Sequence, residues 1–184
     1  MRDGYEVGFT PTTGVDDAEA LRREAETLRY RGQLRELKRL LDAHPHSRFR
    51  SRYLGAGDEP LAEMRGWTNL LAGDRAGAAE AGRAVRRFLA ETNETRWSAA
   101  YRRLLDAEAH VFSGEREQAV AAARSLAQQP WQRCPNGCGV LMGSALAAVF
   151  AWSGAEGDAL LMLNELATQL PGLAPGLLVN DPLF

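Results

Sequence analysis

A glycine recurs in this chain at an almost constant interval, and the interval limits the architectures available to the chain. The four copies, Gly32, Gly73, Gly114 and Gly154, lie 41, 41 and 40 residues apart. A small or aliphatic residue stands seven positions before each glycine and five positions after it. These flanking residues are Ala25, Gly66, Ala107 and Ala147 before the glycines, and Leu37, Ala78, Ala119 and Ala159 after them. A fixed period of roughly 20 to 50 residues is typical of stacked repeats, so the spacing predicts four copies of a helix–turn–helix unit.

The hydrophobic spacing within a unit predicts two amphipathic helices. In the first unit Leu21, Ala25 and Leu28 lie four and three residues apart, which places them on one helical face. The second helix of that unit stops before Pro45, which lacks the N–H group that the helix needs. The same pattern predicts helices at residues 17–30, 33–44, 60–72, 75–91, 94–112, 115–129, 137–153 and 156–170. No stretch alternates as a strand would, so we expect an all-α fold, a right-handed α-solenoid of about four antiparallel hairpins.

The two ends of the chain lie outside this pattern. Residues 1–16 are expected to be a flexible segment, and residues 17–171 form the predicted repeat domain. Residues 171–184 contain three prolines and two glycines, so they cannot extend the last helix. The last helix carries Leu160, Leu161, Leu163 and Leu166, more leucine than one neighbour needs. We expect residues 172–184 to cover it as an irregular cap through Leu173, Leu177, Leu178, Leu183 and Phe184.

Composition and charge narrow the class of protein. A length of 184 residues suits one domain, and a formal net charge of -2 argues against a nucleic-acid partner. Arginines and aromatics alternate at residues 48–53, and we interpret that stretch as a solvated connection. Lys38 is the single lysine, and the abundance of arginine, alanine and glycine is typical of a GC-rich bacterial genome.

Membrane insertion and export are not expected from the sequence. The start of the chain has no apolar run like that of a signal peptide. The most apolar segment, residues 139–152, is shorter than the roughly 20 residues of a membrane-spanning helix. Two cysteines do not make a disulfide framework for a chain of this length. These features predict a cytoplasmic protein, and they leave its oligomeric state open.

The repeat resembles that of the tetratricopeptide family, which has a small residue at its eighth position, a glycine at the turn, an alanine five residues later and a closing proline. The fourth unit matches best, through Ala147, Gly154, Ala159 and Pro171, and the second unit matches through Gly66, Gly73 and Ala78. Two units depart from the pattern, since Leu37 replaces the alanine in the first and Pro130 comes a residue early in the third. The period of 40 to 41 also exceeds the family's usual 34, which implies longer helices or connections.

Two segments also resemble the carboxy-terminal repeat arrays of bacterial signalling proteins. They are residues 94–119, "ETRWSAAYRRLLDAEAHVFSGEREQA", and residues 170–184, "LPGLAPGLLVNDPLF". In those proteins the array follows a kinase, cyclase or winged-helix domain, and the final segment normally continues. The chain ends at Phe184, so we expect a stand-alone relative or a fragment of a longer product. The resemblance implies a scaffold or sensory part of a signalling or transcription-regulatory system, with no catalytic activity and no cofactor.

The resemblance places the candidate binding residues in the concave groove formed by the first helices. In the family's register the fifth and ninth positions of each first helix face the groove: Arg22 and Glu26, Glu63 and Trp67, Leu104 and Glu108, Ser144 and Ala148. Trp97, Tyr101, Leu104 and Glu108 form a stripe at helical spacing that could anchor an apolar peptide or pack in the core. Chaperone-binding members hold a terminal carboxylate with lysines and asparagines at groove positions, and none occurs here. A protein or peptide is therefore the expected partner.

A thiol site is the alternative function. Cys134 and Cys138 lie four residues apart in "RCPNGCG", and two thiolates at that spacing could form half of a zinc site or a redox pair. The other half of a zinc site is missing, because no sequence spacing links His44 and His46 to the cysteines. We interpret the two cysteines as structural or incidental, which leaves a thiol-dependent enzyme or a metal protein as the second hypothesis.

Overall fold

The structure, a computed structural model, describes residues 17–44, 48–50, 58–92, 99–129, 138–169 and 183. These residues form eight α-helices and one two-stranded antiparallel ribbon. The elements in chain order are α1 (Asp17–Tyr30), α2 (Leu34–Ala43), β1 (Arg48–Arg50), β2 (Asp58–Pro60), α3 (Leu61–Leu71), α4 (Arg75–Glu91), α5 (Ala99–Phe112), α6 (Arg116–Ala127), α7 (Cys138–Trp152) and α8 (Glu156–Gln169). The predicted all-α class and all eight predicted helices are confirmed.

The ribbon is a departure from the sequence prediction, which contained no strand. Arg48 pairs with Pro60 and Arg50 with Asp58, between the first hairpin and α3. Neither three-residue strand is long enough to show an alternating pattern. Arg48 also lies against α4, where its guanidinium is 5.2 Å from the centre of the Phe88 ring and 3.4 Å from a Glu91 carboxylate oxygen. This arginine of the basic stretch is therefore engaged with the protein's own helices.

The four recurring glycines end the first helix of each hairpin in the left-handed conformation that helix ends commonly require. Their φ angles are 67°, 75°, 74° and 80° for Gly32, Gly73, Gly114 and Gly154. In the third hairpin the Gly114 N–H bonds the Val111 carbonyl at 3.0 Å, and the following N–H bonds the His110 carbonyl at 2.9 Å. The other three turns have the same pair of bonds. Each turn is thus a Schellman motif, which satisfies the last carbonyls of the helix.

Replacing Gly114 with alanine is expected to lower the free energy of unfolding by roughly 1 kcal/mol, because a side chain is strained at positive φ. Gly157 is the matched control. It lies in α8, and a Cβ added there would have open space around it, so alanine is expected to be neutral or stabilising by up to about 1 kcal/mol. Urea denaturation of the two variants measures both effects. Equal stability of Gly114→Ala and wild type would contradict the assigned role of the turn.

The helices pack mainly against their neighbours in sequence, from α1 on α2 through α7 on α8, and α3 and α7 also contact α5. The small residues seven positions before the turn glycines allow close approach. A Cβ on Gly66 would lie 2.4 Å from a ring carbon of Phe112 in α5. Ala25, Ala107 and Ala147 are completely buried at the equivalent positions. Side chains larger than these would push neighbouring helices apart.

The buried residues form two clusters that meet in α3. The smaller cluster joins the first hairpin to the start of α3 through Leu21, Ala25, Leu37, Leu41, Leu61 and Met64. The larger cluster begins at Trp67 and continues through the other three hairpins to Leu183. Helix α3 therefore connects the first repeat to the rest of the core.

The predicted carboxy-terminal cap is only partly described by the structure. Leu183 is buried, and its carbonyl oxygen accepts a hydrogen bond of 3.2 Å from Trp152 Nε1. The prediction that the leucines of α8 are covered is wrong for two of them, because Leu160 and Leu161 are 67% and 70% exposed. Leu183 belongs to the same buried cluster as Leu166 of α8, and it lines a cavity together with residues of α7. Leu173, Leu177, Leu178, Phe184 and the predicted flexible segment 1–16 lie outside the described residues.

Candidate functional site

Side chains from α1, β2, α3, α5 and α7 enclose a cavity of about 310 Å³, which we call the acidic cavity. Its charged lining residues are Arg22, Glu26, Arg29, Glu59, Glu63 and Glu108. Four carboxyl groups therefore face two guanidinium groups. The volume is at the lower end of the roughly 300 to 1,000 Å³ that is typical of small-molecule sites, so the acidic cavity suits one side chain or one small molecule.

The rest of the lining is mainly aromatic and aliphatic. It consists of Tyr30, Met64, Trp67, Tyr101, Leu104, Leu141, Met142, Ser144, Ala145 and Leu183. Tyr30 is an exposed member, whereas Trp67 is only 1% exposed. An apolar wall beside a few polar groups is the usual composition of a ligand site.

Eight of the ten residues that the sequence assigned to the groove or to the aromatic stripe line the acidic cavity. They are Arg22, Glu26, Glu63, Trp67, Tyr101, Leu104, Glu108 and Ser144. Trp97, the ninth, lies outside the described residues. Ala148, which the family's register also placed in the groove, is instead completely buried in the larger core cluster, because α7 packs against α5, α6 and α8. Their role in binding stays a prediction.

The repeat period explains how distant residues meet at this site. Trp67 and Glu108 occupy equivalent positions 41 residues apart, and the indole Nε1 donates a hydrogen bond of 3.3 Å to Glu108 Oε1. The Trp67 ring also meets the edges of Phe112 and Trp152, with ring centroids 5.1 Å and 6.3 Å away. Trp67 is therefore both a core residue and part of the cavity wall. An aromatic residue of this protein can thus pack in the core and still be accessible from the cavity.

Arg22 organises the end of the cavity that α1 and β2 form. Its side chain is largely buried and lies 3.0 Å from a Glu26 oxygen and 3.4 Å from a Glu59 oxygen. The charge of one guanidinium is thus shared between two carboxylates. Burial raises the pKa of Glu59, and the adjacent Arg22 charge opposes that rise.

The other end of the cavity has carboxyl groups that favour the neutral form. Burial, together with the nearby charge of Glu59, raises the pKa of Glu63 to about 7. Burial and then the charge of Glu63 hold the pKa of Glu108 well above its usual range, although the Trp67 hydrogen bond opposes the rise. Two neighbouring carboxyl groups cannot both be charged cheaply in a buried site. Near neutral pH we therefore expect Glu63 to titrate.

One buried polar atom on the cavity wall, Glu108 Oε2, has no hydrogen-bond partner among the residues that the structure describes. Glu108 is only 3% exposed, and leaving such a group unpaired costs roughly 1 to 3 kcal/mol. A buried polar atom that faces a cavity without a partner is typical of a site that binds something.

The sequence did not predict several of the lining residues. Glu59 belongs to the ribbon between two repeats, where the repeat register gives no guide. Arg29 and Tyr30 lie at the end of α1, three to four residues beyond the predicted groove position Glu26. Their helical spacing from Glu26 is the signal that would have found them. Leu183 was expected over α8 and not at this cavity.

The alternative thiol site remains a prediction. Cys134 lies outside the described residues, and Cys138 is the first residue of α7. Among the residues that the structure describes, no three His, Cys, Asp or Glu side chains are grouped to hold a metal ion. In the same residues, no helix has the length and apolar character needed to cross a membrane.

Comparison with known proteins does not assign a family. No family model, no curated protein and no solved structure matches the chain. A functional proposal for the chain therefore depends on the geometry and chemistry of the acidic cavity.

Proposed function

We propose that the chain is a non-catalytic peptide-binding module, a tetratricopeptide-like α-solenoid whose site is the acidic cavity. The constant period, the four Schellman turns and the neighbour-to-neighbour packing support the solenoid. The resemblance of residues 94–119 and 170–184 to bacterial regulatory arrays supports a scaffold or sensory role.

The observation that carries the proposal is the contact that Leu183, one of the residues lining the cavity, makes with its neighbours. The leucine side chain is buried against the wall, and its backbone carbonyl accepts a hydrogen bond from Trp152 Nε1. A bound peptide is held in the same manner, because backbone hydrogen bonds give affinity and pockets for side chains give specificity. One residue of the protein's own chain thus shows the type of contact that a peptide would make.

The wall of the cavity has the composition of an anchoring site. Trp67 and Tyr101 are rigid aromatic side chains, and Leu104 and Met142 are adjacent aliphatic surfaces. Residues of these types bury much area at low entropic cost and commonly dominate the energy of interfaces. We expect one anchor side chain of the peptide to enter the cavity while its backbone lies at the mouth.

Selection of a displayed library of random twelve-residue peptides on the immobilised full chain tests the proposal. The proposal expects enriched peptides that share one anchor residue and bind with a Kd in the micromolar range by fluorescence anisotropy. Leu104→Ala at the cavity is expected to weaken binding by about tenfold or more. Leu161→Ala on the exposed side of α8 is the matched control and is expected to change Kd less than twofold. An enriched set that binds both variants equally would show that peptides use another surface.

A further inference from the structure

We propose that the acidic cavity binds an organic cation on an apolar stem, a guanidinium or a primary ammonium, with Glu63 and Glu108 as its acceptors. The inference deepens the proposed function and rests on it for one point only, the expectation that a peptide carries the cation. The same chemistry could be supplied by an arginine or lysine side chain or by a free alkylguanidine or alkylamine. The experiment distinguishes these sources.

Charge complementarity is the first support. The cavity has four glutamates against two arginines, an excess of acidic groups. Arg22 lies within 3.4 Å of both Glu26 and Glu59, so its positive charge is already paired with these two carboxylates. At the other end, the positive charge of Arg29 opposes the rise in the pKa of both Glu63 and Glu108. A ligand with one positive charge would allow both of these carboxylates to ionise.

The buried Glu108 oxygen is the second and independent support. Glu108 lines the cavity, its Oε2 has no hydrogen-bond partner among the described residues, and its Oε1 accepts a hydrogen bond from the Trp67 indole. A guanidinium or ammonium group carries only donors, and charge-assisted hydrogen bonds to carboxylates are among the stronger ones. Such a donor would satisfy Oε2. An anionic ligand would meet the four carboxyl groups instead and would be repelled.

The apolar wall defines the stem of the ligand. Met64, Leu104 and Met142 lie beside the carboxyl groups, and the rings of Trp67 and Tyr101 complete the wall. Aromatic faces attract cations as well as burying alkyl groups. A short hydrocarbon chain that ends in a cation, such as the side chain of arginine, matches both parts of the lining.

Binding is expected to release a proton near neutral pH. The charged and titratable groups that surround Glu63 are Arg22, Glu26 and Arg29 of α1, Glu59 of β2, and Tyr101 and Glu108 of α5. The residues of α7 on the cavity do not titrate in this range. Since the cation binds the ionised form of Glu63, affinity should rise with pH as the fraction of that form rises.

Isothermal titration of the full chain with n-butylguanidine and with its uncharged analogue n-butylurea tests the inference. We expect n-butylguanidine to bind at least tenfold more tightly at pH 8, because the two probes differ in charge and hardly in shape. Its Kd should be about tenfold weaker at pH 6 than at pH 8, since Glu63 has a pKa of about 7. The guanidinium stays charged throughout that range. Equal affinity for the two probes would overturn the inference.

Variants locate the cation in the cavity. E108Q is expected to weaken n-butylguanidine binding by at least tenfold, and E63Q is expected to remove most of the pH dependence. The exposed Glu80 on α4 provides the control E80Q, which should leave Kd unchanged. If a cavity variant does not fold, proton release by the wild type, measured in two buffers of different ionisation enthalpy, decides the point. Absence of proton release at pH 7 would contradict the role of Glu63.

A peptide arm separates the two proposals. Acetyl-Gly-Arg-Gly-amide is compared with the same peptide containing citrulline, and an enriched library peptide is tested in competition with n-butylguanidine. Competition and a preference for arginine support both proposals. If library peptides bind without competing with n-butylguanidine, the peptide-binding function is retained and the cation site is rejected. Binding of n-butylguanidine with no peptide binding would keep the cation site and reject the peptide-binding function.

Discussion

Replacing Trp67 with alanine is expected to lower the free energy of unfolding by about 3 to 5 kcal/mol, the range typical of buried tryptophan and phenylalanine positions. The side chain is 1% exposed, and its ring meets Phe112 and Trp152 edge-on. Alanine would leave a cavity between α3, α5 and α7 and remove the donor to Glu108 Oε1. Chemical denaturation followed by far-ultraviolet circular dichroism measures the loss.

Tyr30→Ala is the matched control, because Tyr30 is also an aromatic residue on the acidic cavity but is 53% exposed. Its effect is expected to stay within about 0.5 kcal/mol. Trp67→Phe keeps an aromatic ring but removes the N–H and part of the side-chain volume, so a smaller loss of roughly 1 to 2 kcal/mol is expected. If Trp67→Ala were no more harmful than Tyr30→Ala, the tryptophan would not join the repeats as described.

The second large effect is a decline of stability as pH rises. The pKa of Glu63 is about 7 in the folded protein against an ordinary value of 4.5, so the folded state holds a proton that the unfolded state releases. The contribution of Glu63 to the free energy of unfolding is fully present below pH 4.5 and is lost as the pH rises through 7. The loss from this group is roughly 3 kcal/mol at most. The raised pKa of Glu108 contributes a decline of the same sign.

E63Q is expected to flatten this decline, because an amide carries no charge at any pH. Between pH 5 and pH 8 the wild type should lose roughly 1 to 3 kcal/mol more of its free energy of unfolding than E63Q. Urea denaturation at several pH values measures the difference, with E80Q as the exposed control. Parallel curves for wild type and E63Q would mean that Glu63 is ionised in the folded protein throughout.

Local physics explains why the helices and turns were predictable from the sequence. A Schellman turn requires a residue at positive φ, so glycine marks each turn directly, and helical spacing of leucines and alanines marks the faces that pack. The constant period of the repeat then indicates which residues of successive units occupy equivalent positions. Because the register of the tetratricopeptide family gives equivalent positions the same orientation, the resemblance assigned Glu63, Trp67, Leu104 and Glu108 to one surface.

The features that the sequence did not predict depend on contacts that cannot be inferred from the spacing of residues along the chain. Pairing of Arg48–Arg50 with Asp58–Pro60 joins two parts of a linker, and Glu59 reaches the cavity only because that ribbon forms. Ala148 has a groove position in the register but lies in the larger core cluster, because α7 packs against α5, α6 and α8. The raised pKa values arise from the burial of several carboxyl groups together, and a sequence does not show that burial.

Both ends of the described chain contribute to the acidic cavity, since Arg22 of α1 and Leu183 line the same space. Repeat proteins ordinarily tolerate the gain or loss of a unit, because each unit contacts only its neighbours. Here a duplicated unit inserted between α3 and α5 would place a further period between Trp67 and Glu108 and break their hydrogen bond. Copy number in this chain is therefore constrained by the cavity, so that lengthening or shortening the array by whole units would abolish the site even where the remaining hairpins stay folded.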